Sequence, residues 1–194
     1  MNKQKNKQIT MSAIFAALVF LATLTGAVAP IGGGAYVHIG DAMIYLAALV
    51  LPLPYAVCAS AIGAGLADLM LGSAIYIIPT VIVKSLLVVA AKGVSKLSSK
   101  SVIKDILVCL TGVVTVAGYY VAEVVLLLIS GSEFTVALSV GAANSILFNT
   151  IQALASAAVY MILSGAVRSF MDKRKNAPAE TDASDDSSSE DITE

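Results

Sequence analysis

Three clusters of basic residues, separated by long apolar runs, constrain this chain more than any other feature. Lys3, Lys5 and Lys7 precede the first apolar run, Lys92, Lys96, Lys100 and Lys104 fill a central loop, and Arg168, Lys173, Arg174 and Lys175 follow the last run. Six membrane helices threaded through the sequence put all three clusters on one face of a bilayer, as the positive-inside bias requires. An even number of spans leaves both termini in the cytoplasm. Eleven of the twelve Lys and Arg are accounted for in this way. The twelfth, Lys84, falls inside a membrane helix, at a depth where a few acids and amides also lie.

The 194 residues are 58% hydrophobic and 13% charged. That balance indicates a polytopic membrane protein with one compact bundle, not a soluble domain. The predicted fold class is all-α, a six-transmembrane-helix bundle in the cell membrane. The formal net charge of −1 sums two unlike parts, since residues 1–175 carry twelve bases and six acids while residues 176–194 carry seven acids and no base. The expected organisation is a basic cytoplasmic N-terminus (1–8), a membrane domain (9–168) and a cytoplasmic tail (169–194). From about 176 the tail is acidic and Ser-rich and cannot bury enough apolar surface to fold. Residues 1–29 imitate a secretory signal that ends at Ala27-Val28-Ala29. Their apolar stretch can nevertheless span ~30 Å of hydrocarbon, and Pro30 disfavours cleavage, so a retained first helix is expected. Cys58 and Cys109 stand apart in apolar segments and suggest neither a disulfide nor a metal motif.

The predicted spans are about 9–29, 37–51, 55–71, 75–91, 105–129 and 135–167. Pro30-Ile31-Gly32-Gly33-Gly34 makes a flexible outer loop, Pro52 and Pro54 a tight inner turn, and Gly131-Ser132-Glu133 an outer turn. The second span is too short to cross comfortably and must tilt little or sit behind its neighbours. No internal repeat supports an inverted-repeat carrier design.

Ionisable groups deep in a bilayer cost about 2.5–3.5 kcal/mol on insertion scales, so they pair or line a cavity. Asp68, Lys84, Glu123, Asn144, Asn149 and Gln152, with Tyr119 and Tyr120, converge on the outer half of the predicted bundle. This pattern points to an outward pocket with a dead end below. Several readings compete. Lys84 can form a structural ion pair, most simply with Asp68 on the neighbouring span. Asp41 can be a helix N-cap, and Asn149 and Gln152 can be interhelical glue. A lone histidine, His38, and scattered acids give no catalytic constellation, no metal cluster and no cofactor site. No P-loop is present, so no ATPase activity is expected, and nothing suggests a nucleic-acid partner. Ala13 and Ala17, widened by Ser12 and Ala16, put small residues on one face of the first helix, which permits close approach of another helix.

The run Val37-His38-Ile39-Gly40-Asp41-Ala42-Met43-Ile44, then Leu51-Pro52-Leu53-Pro54-Tyr55-Ala56, then Ile62-Gly63-Ala64-Gly65-Leu66-Ala67-Asp68 with Gly72, and Pro79-Thr80 with Lys84, resembles the substrate-binding S components of energy-coupling factor (ECF) vitamin transporters. The riboflavin-type group is the nearest in look. The resemblance covers about residues 9–168. It implies a six-helix bundle that binds a water-soluble vitamin or precursor in its outer half, under a lid formed by the loop from Pro30 to Gly40. It further implies a pocket drawn from Tyr36, His38, Lys84, Tyr119, Glu123, Asn144, Asn149 and Gln152, with Asp41 and Asp68 as support or ion pair. Ala13 and Ala17 would dock on a transmembrane coupling subunit that carries two ATPases. The family's members serve different vitamins, and a chain with no Trp and 6% aromatics offers a flavin few stacking platforms. Two rivals from other classes are a self-sufficient proton-coupled carrier, with Asp68, Lys84 and Glu123 as relay, and a ligand-free structural subunit.

Overall fold

The structure, a computed structural model, describes residues 3–25, 28–31 and 35–176. Among the described residues eight α-helices form the body: α1 (Lys3–Thr25), α2 (Gly40–Val50), α3 (Leu53–Met70), α4 (Ile77–Val94), α5 (Ser101–Leu110), α6 (Gly112–Ile129), α7 (Phe134–Gly141) and α8 (Leu147–Asn176). Five helical segments among the described residues are long and apolar enough to cross a membrane: Lys3–Thr25, Leu53–Met70, Ala74–Val94, Ser101–Ile129 and Leu147–Lys173. Their lipid-facing sides account for exposed residues such as Ile62, Ile78, Leu110 and Ile162.

The second predicted span, 37–51, corresponds to α2, which has only eleven residues, about 16 Å of helix. It resolves its length problem by burial, as the sequence suggested. Eight of its residues are buried, among them Ile44 and Tyr45, and it packs on α1, α3, α4 and α8. The hydrophobic core is built round it, with Val19, Leu87, Val88 and Tyr160 closing the shell. The expected flexible loop after α1 is in part a short antiparallel hairpin, β1 (Val28–Ile31) with β2 (Ala35–Val37), in which Pro30 faces Tyr36. Residues 32–34 lie outside the described residues.

Two predicted helices are broken. The fifth divides at Thr111, whose hydroxyl donates back to the Val108 carbonyl at 2.5 Å, a local bond that competes with helix continuation. Gly112 follows, and a Cβ there would stand 2.9 Å from Cβ of Ala153, so the break sits where α6 meets α8 closely. The sixth predicted helix becomes α7, a π-helical turn at Ala142–Ile146 and then α8. At the basic end, Asp105 ties α5 to α8 by accepting from Tyr160 (2.7 Å), Ser164 (3.1 Å) and Arg168 (2.5 Å).

Candidate functional site

The polar interior is built on a ladder between α4 and α6. Tyr76 closes the 3₁₀ turn (Ala74–Tyr76) that leads into α4, and Thr80 and Lys84 follow at intervals of one helical turn. On α6, Glu123, Tyr119 and Thr115 descend with the same interval in the opposite direction. Residues four apart share a helix face, so the two sets meet rung by rung. The Tyr76 hydroxyl donates to Glu123 Oε2 at 2.5 Å. Thr80 Oγ1 and the Tyr119 hydroxyl share a hydrogen bond of 2.8 Å. Lys84 Nζ stands 5.0 Å from the Tyr119 ring centroid, within cation–π range. The two helices approach closely because Gly118 lacks a side chain: a Cβ there would fall 2.7 Å from Cγ2 of Val83.

The lowest rung adds a third helix and a fourth. Lys84 Nζ donates to Asp41 Oδ1 at 2.6 Å, with both side chains essentially without solvent exposure. Asp41 Oδ2 accepts from Thr115 Oγ1 at 3.0 Å and from Gln152 Nε2 at 3.4 Å. One carboxylate on α2 thereby joins α4, α6 and α8. Thr115 lies about 21 Å along α6 from its Ile129 end, whereas Glu123 lies about 9 Å from it. Asp41 therefore opens α2 deep in the bundle, and the strand β2 ahead of it lies against α8. The start of α2 is held tightly: His38 is buried and its Nδ1 accepts from the Gly40 N–H at 3.0 Å. A Cβ on Gly40 would overlap Thr23 Oγ1 at 2.1 Å.

These positions revise the sequence expectations in three places. Asp68 is buried, but the partner of Lys84 is Asp41. Adjacency in sequence favoured Asp68, whereas the deep start of α2 decides for Asp41. Asp41 is not an N-cap either, since Ile39 holds that position without a side-chain cap bond and the Asp41 carboxylate is turned to Lys84. Ser12 and Ala16 do not widen an outer face with Ala13 and Ala17. Ser12 Oγ donates to the Tyr55 carbonyl at 3.0 Å, and the Ala16 carbonyl lies where a Cβ on Gly63 would fall, so this pair belongs to the α1–α3 contact. Ala13 and Ala17 themselves are exposed.

Of the remaining expected residues, Gln152 is buried and Tyr119 and Glu123 are half-buried. Asn149 is half-buried and spends one amide N–H on the Ser145 carbonyl of the preceding turn, at 2.8 Å. Tyr36 lies on β2 and Asn144 in the π turn; their side chains fall outside the described residues. Sequence reasoning overlooked Tyr76 and Thr115 and gave Thr80 no role of its own. The repeat of polar residues at one-turn spacing, 76/80/84 against 115/119/123, was the available signal. No group of three or more His, Cys, Asp or Glu fit to hold a metal occurs among the described residues.

The family model of the ECF-type riboflavin transporter S component matches residues 3–169. No curated protein and no solved structure matches the chain. The match covers most of the sequence, and the chain therefore belongs to that family. It is a substrate-binding subunit for membrane vitamin uptake, not an enzyme.

Proposed function

We propose, starting from membership of the S-component family, that this chain captures a water-soluble vitamin or vitamin precursor outside the cell and delivers it through an ATP-driven coupling module. The chain crosses the membrane six times with α2 as the short second span, and both termini are cytoplasmic. Positive-inside bias supports that orientation, since the basic loop between α4 and α5 and the basic C-terminal end of α8 then share the inner side.

The observation that carries this reading is the α4–α6 ladder ending on the buried Asp41–Lys84 pair. Polar groups graded from half-exposed Glu123 to fully buried Lys84 suit a ligand that enters from the outer end and stops on a saturated floor. Tyr36, His38, Tyr119, Glu123, Asn144 and Asn149 take the ligand. Lys84, Gln152 and Asp41 form the floor and fix the Tyr119 ring, with Asp68 as support. Exposed Ala13 and Ala17 offer α1 to a coupling-subunit helix, because the neighbouring small residues are already used inside. The partners are that transmembrane subunit and its two ATPases.

Mass spectrometry of small molecules extracted from the purified protein tests the proposal, with the Glu123→Ala/Asn149→Ala variant as control. A vitamin-like compound held by the wild type and absent from the control names the substrate. Proton-driven uptake into liposomes that contain this chain alone would instead establish a self-sufficient carrier.

A further inference from the structure

A second polar cavity lies at the basic end of the bundle, away from the ladder. Its volume is about 190 Å³, and Lys92, Ser95, Lys104 and Arg168 line it together with Tyr45 and Tyr160. Tyr45 is one turn beyond Asp41 on α2, and its ring packs edge-on against Tyr160 with centroids 5.5 Å apart. Both rings line the cavity, and Tyr160 also donates to Asp105. The volume far exceeds the about 10–15 Å³ that one water needs.

We propose that this cavity binds a phosphate-bearing anion, either the headgroup of an anionic phospholipid or a free phosphate. Three cationic side chains from α4, α5 and α8 converge on it. Asp105 is ion-paired with Arg168 and also accepts from Tyr160 and Ser164, so its charge is offset by Arg168 and the two lysines carry the cavity's excess positive charge. Among the described residues neither Lys92 nor Lys104 makes an ion pair, and Arg168 Nε is a buried donor without an acceptor.

Positive-inside bias explains why these residues share one end of the bundle; it does not explain their convergence on one cavity. Lys92 complements the C-terminus of α4, where a cation is favoured. Lys104 does the reverse: it lies in the first turn of α5, which contains no acid and where the helix dipole favours negative charge. A phosphate group between them gains from the α5 terminus, from both ammonium groups and from the Arg168 guanidinium. Basic pockets between membrane helices commonly take lipid headgroups in this way. The site is independent of the vitamin reading.

The test uses the full chain in mixed micelles. Native mass spectrometry compares retention of phosphatidylglycerol and phosphatidylcholine, and calorimetry reads binding of inorganic phosphate. The expected result is one retained phosphatidylglycerol, favoured at least tenfold over phosphatidylcholine, with the preference abolished in Lys92→Gln/Lys104→Gln. Lys104→Gln alone, at a half-buried position, serves if the double variant does not fold. Phosphate binding that needs the same lysines, without lipid preference, identifies the free anion as the ligand. No binding of either probe, or binding unchanged by the lysine substitutions, overturns the proposal.

Discussion

Replacing Lys84 by Met isolates the energetics of the buried pair. At 2.6 Å and an effective dielectric of about 20, the attraction between the two charges is about 6 kcal/mol. The substitution removes that attraction together with the cation–π contact to Tyr119, worth up to about 2 kcal/mol when desolvated. It leaves Asp41 buried with only Thr115 and Gln152 as donors. Some of the loss is recovered as Asp41 takes up a proton or admits water, so the net cost is expected near the about 3–5 kcal/mol measured when a buried pair loses one partner. Asp41→Asn should cost a similar amount by stranding the ammonium. The double variant should be much milder, within about 2 kcal/mol of wild type, because no charge is left unpaired and the introduced amide can still meet Thr115 and Gln152. Denaturant-driven unfolding of the four proteins in mixed micelles gives the coupling energy directly. Single variants each costing under about 1 kcal/mol, or a double variant as damaged as the singles summed, would refute the claim that this pair organises the interior.

Further outcomes follow from the same geometry. Thr115→Val keeps the shape but removes a donor to a buried carboxylate, and thermal unfolding should reveal a loss of about 1.5–3 kcal/mol. Gly118→Ala should separate α4 from α6 and cost about 1–3 kcal/mol, with Val83→Ala restoring much of it, since the clash is with Val83. Ala13→Leu or Ala17→Leu should abolish vitamin uptake in cells while ligand binding by the purified chain persists; unchanged uptake would show that α1 does not dock there. Tyr76→Phe should weaken ligand binding several-fold by releasing Glu123, read by calorimetry once the ligand is identified.

The apolar runs made five of the six expected spans legible, because hydrophobic length is a property of consecutive residues. The depth of a buried cation was legible too: Lys84 demanded a partner wherever it lay. Which partner was not, since that depends on how far α2 sinks into the bundle, and its Gly40 start is fixed by contacts with Thr23 and His38. The breaks at Thr111 and at Ala142–Ile146 occur in largely apolar sequence, where periodicity gives no stop signal. Ser12 and Ala16 looked like their neighbours Ala13 and Ala17, and only the packing of α3 against α1 assigns them to the inside.

The π turn at Ala142–Ile146 makes the chain's length here a steering angle. It holds one more residue than an α-helical turn does, and each residue of α-helix advances about 100° round the axis. Deleting a single residue there would cost hardly any span, yet it would swing α8 so that Gln152 turned off the face that meets Asp41. Insertions and deletions in this short stretch are thus rotations in disguise. A shuffled library of lengths at this one point would scan the orientation of an entire transmembrane segment without altering any side chain that it presents.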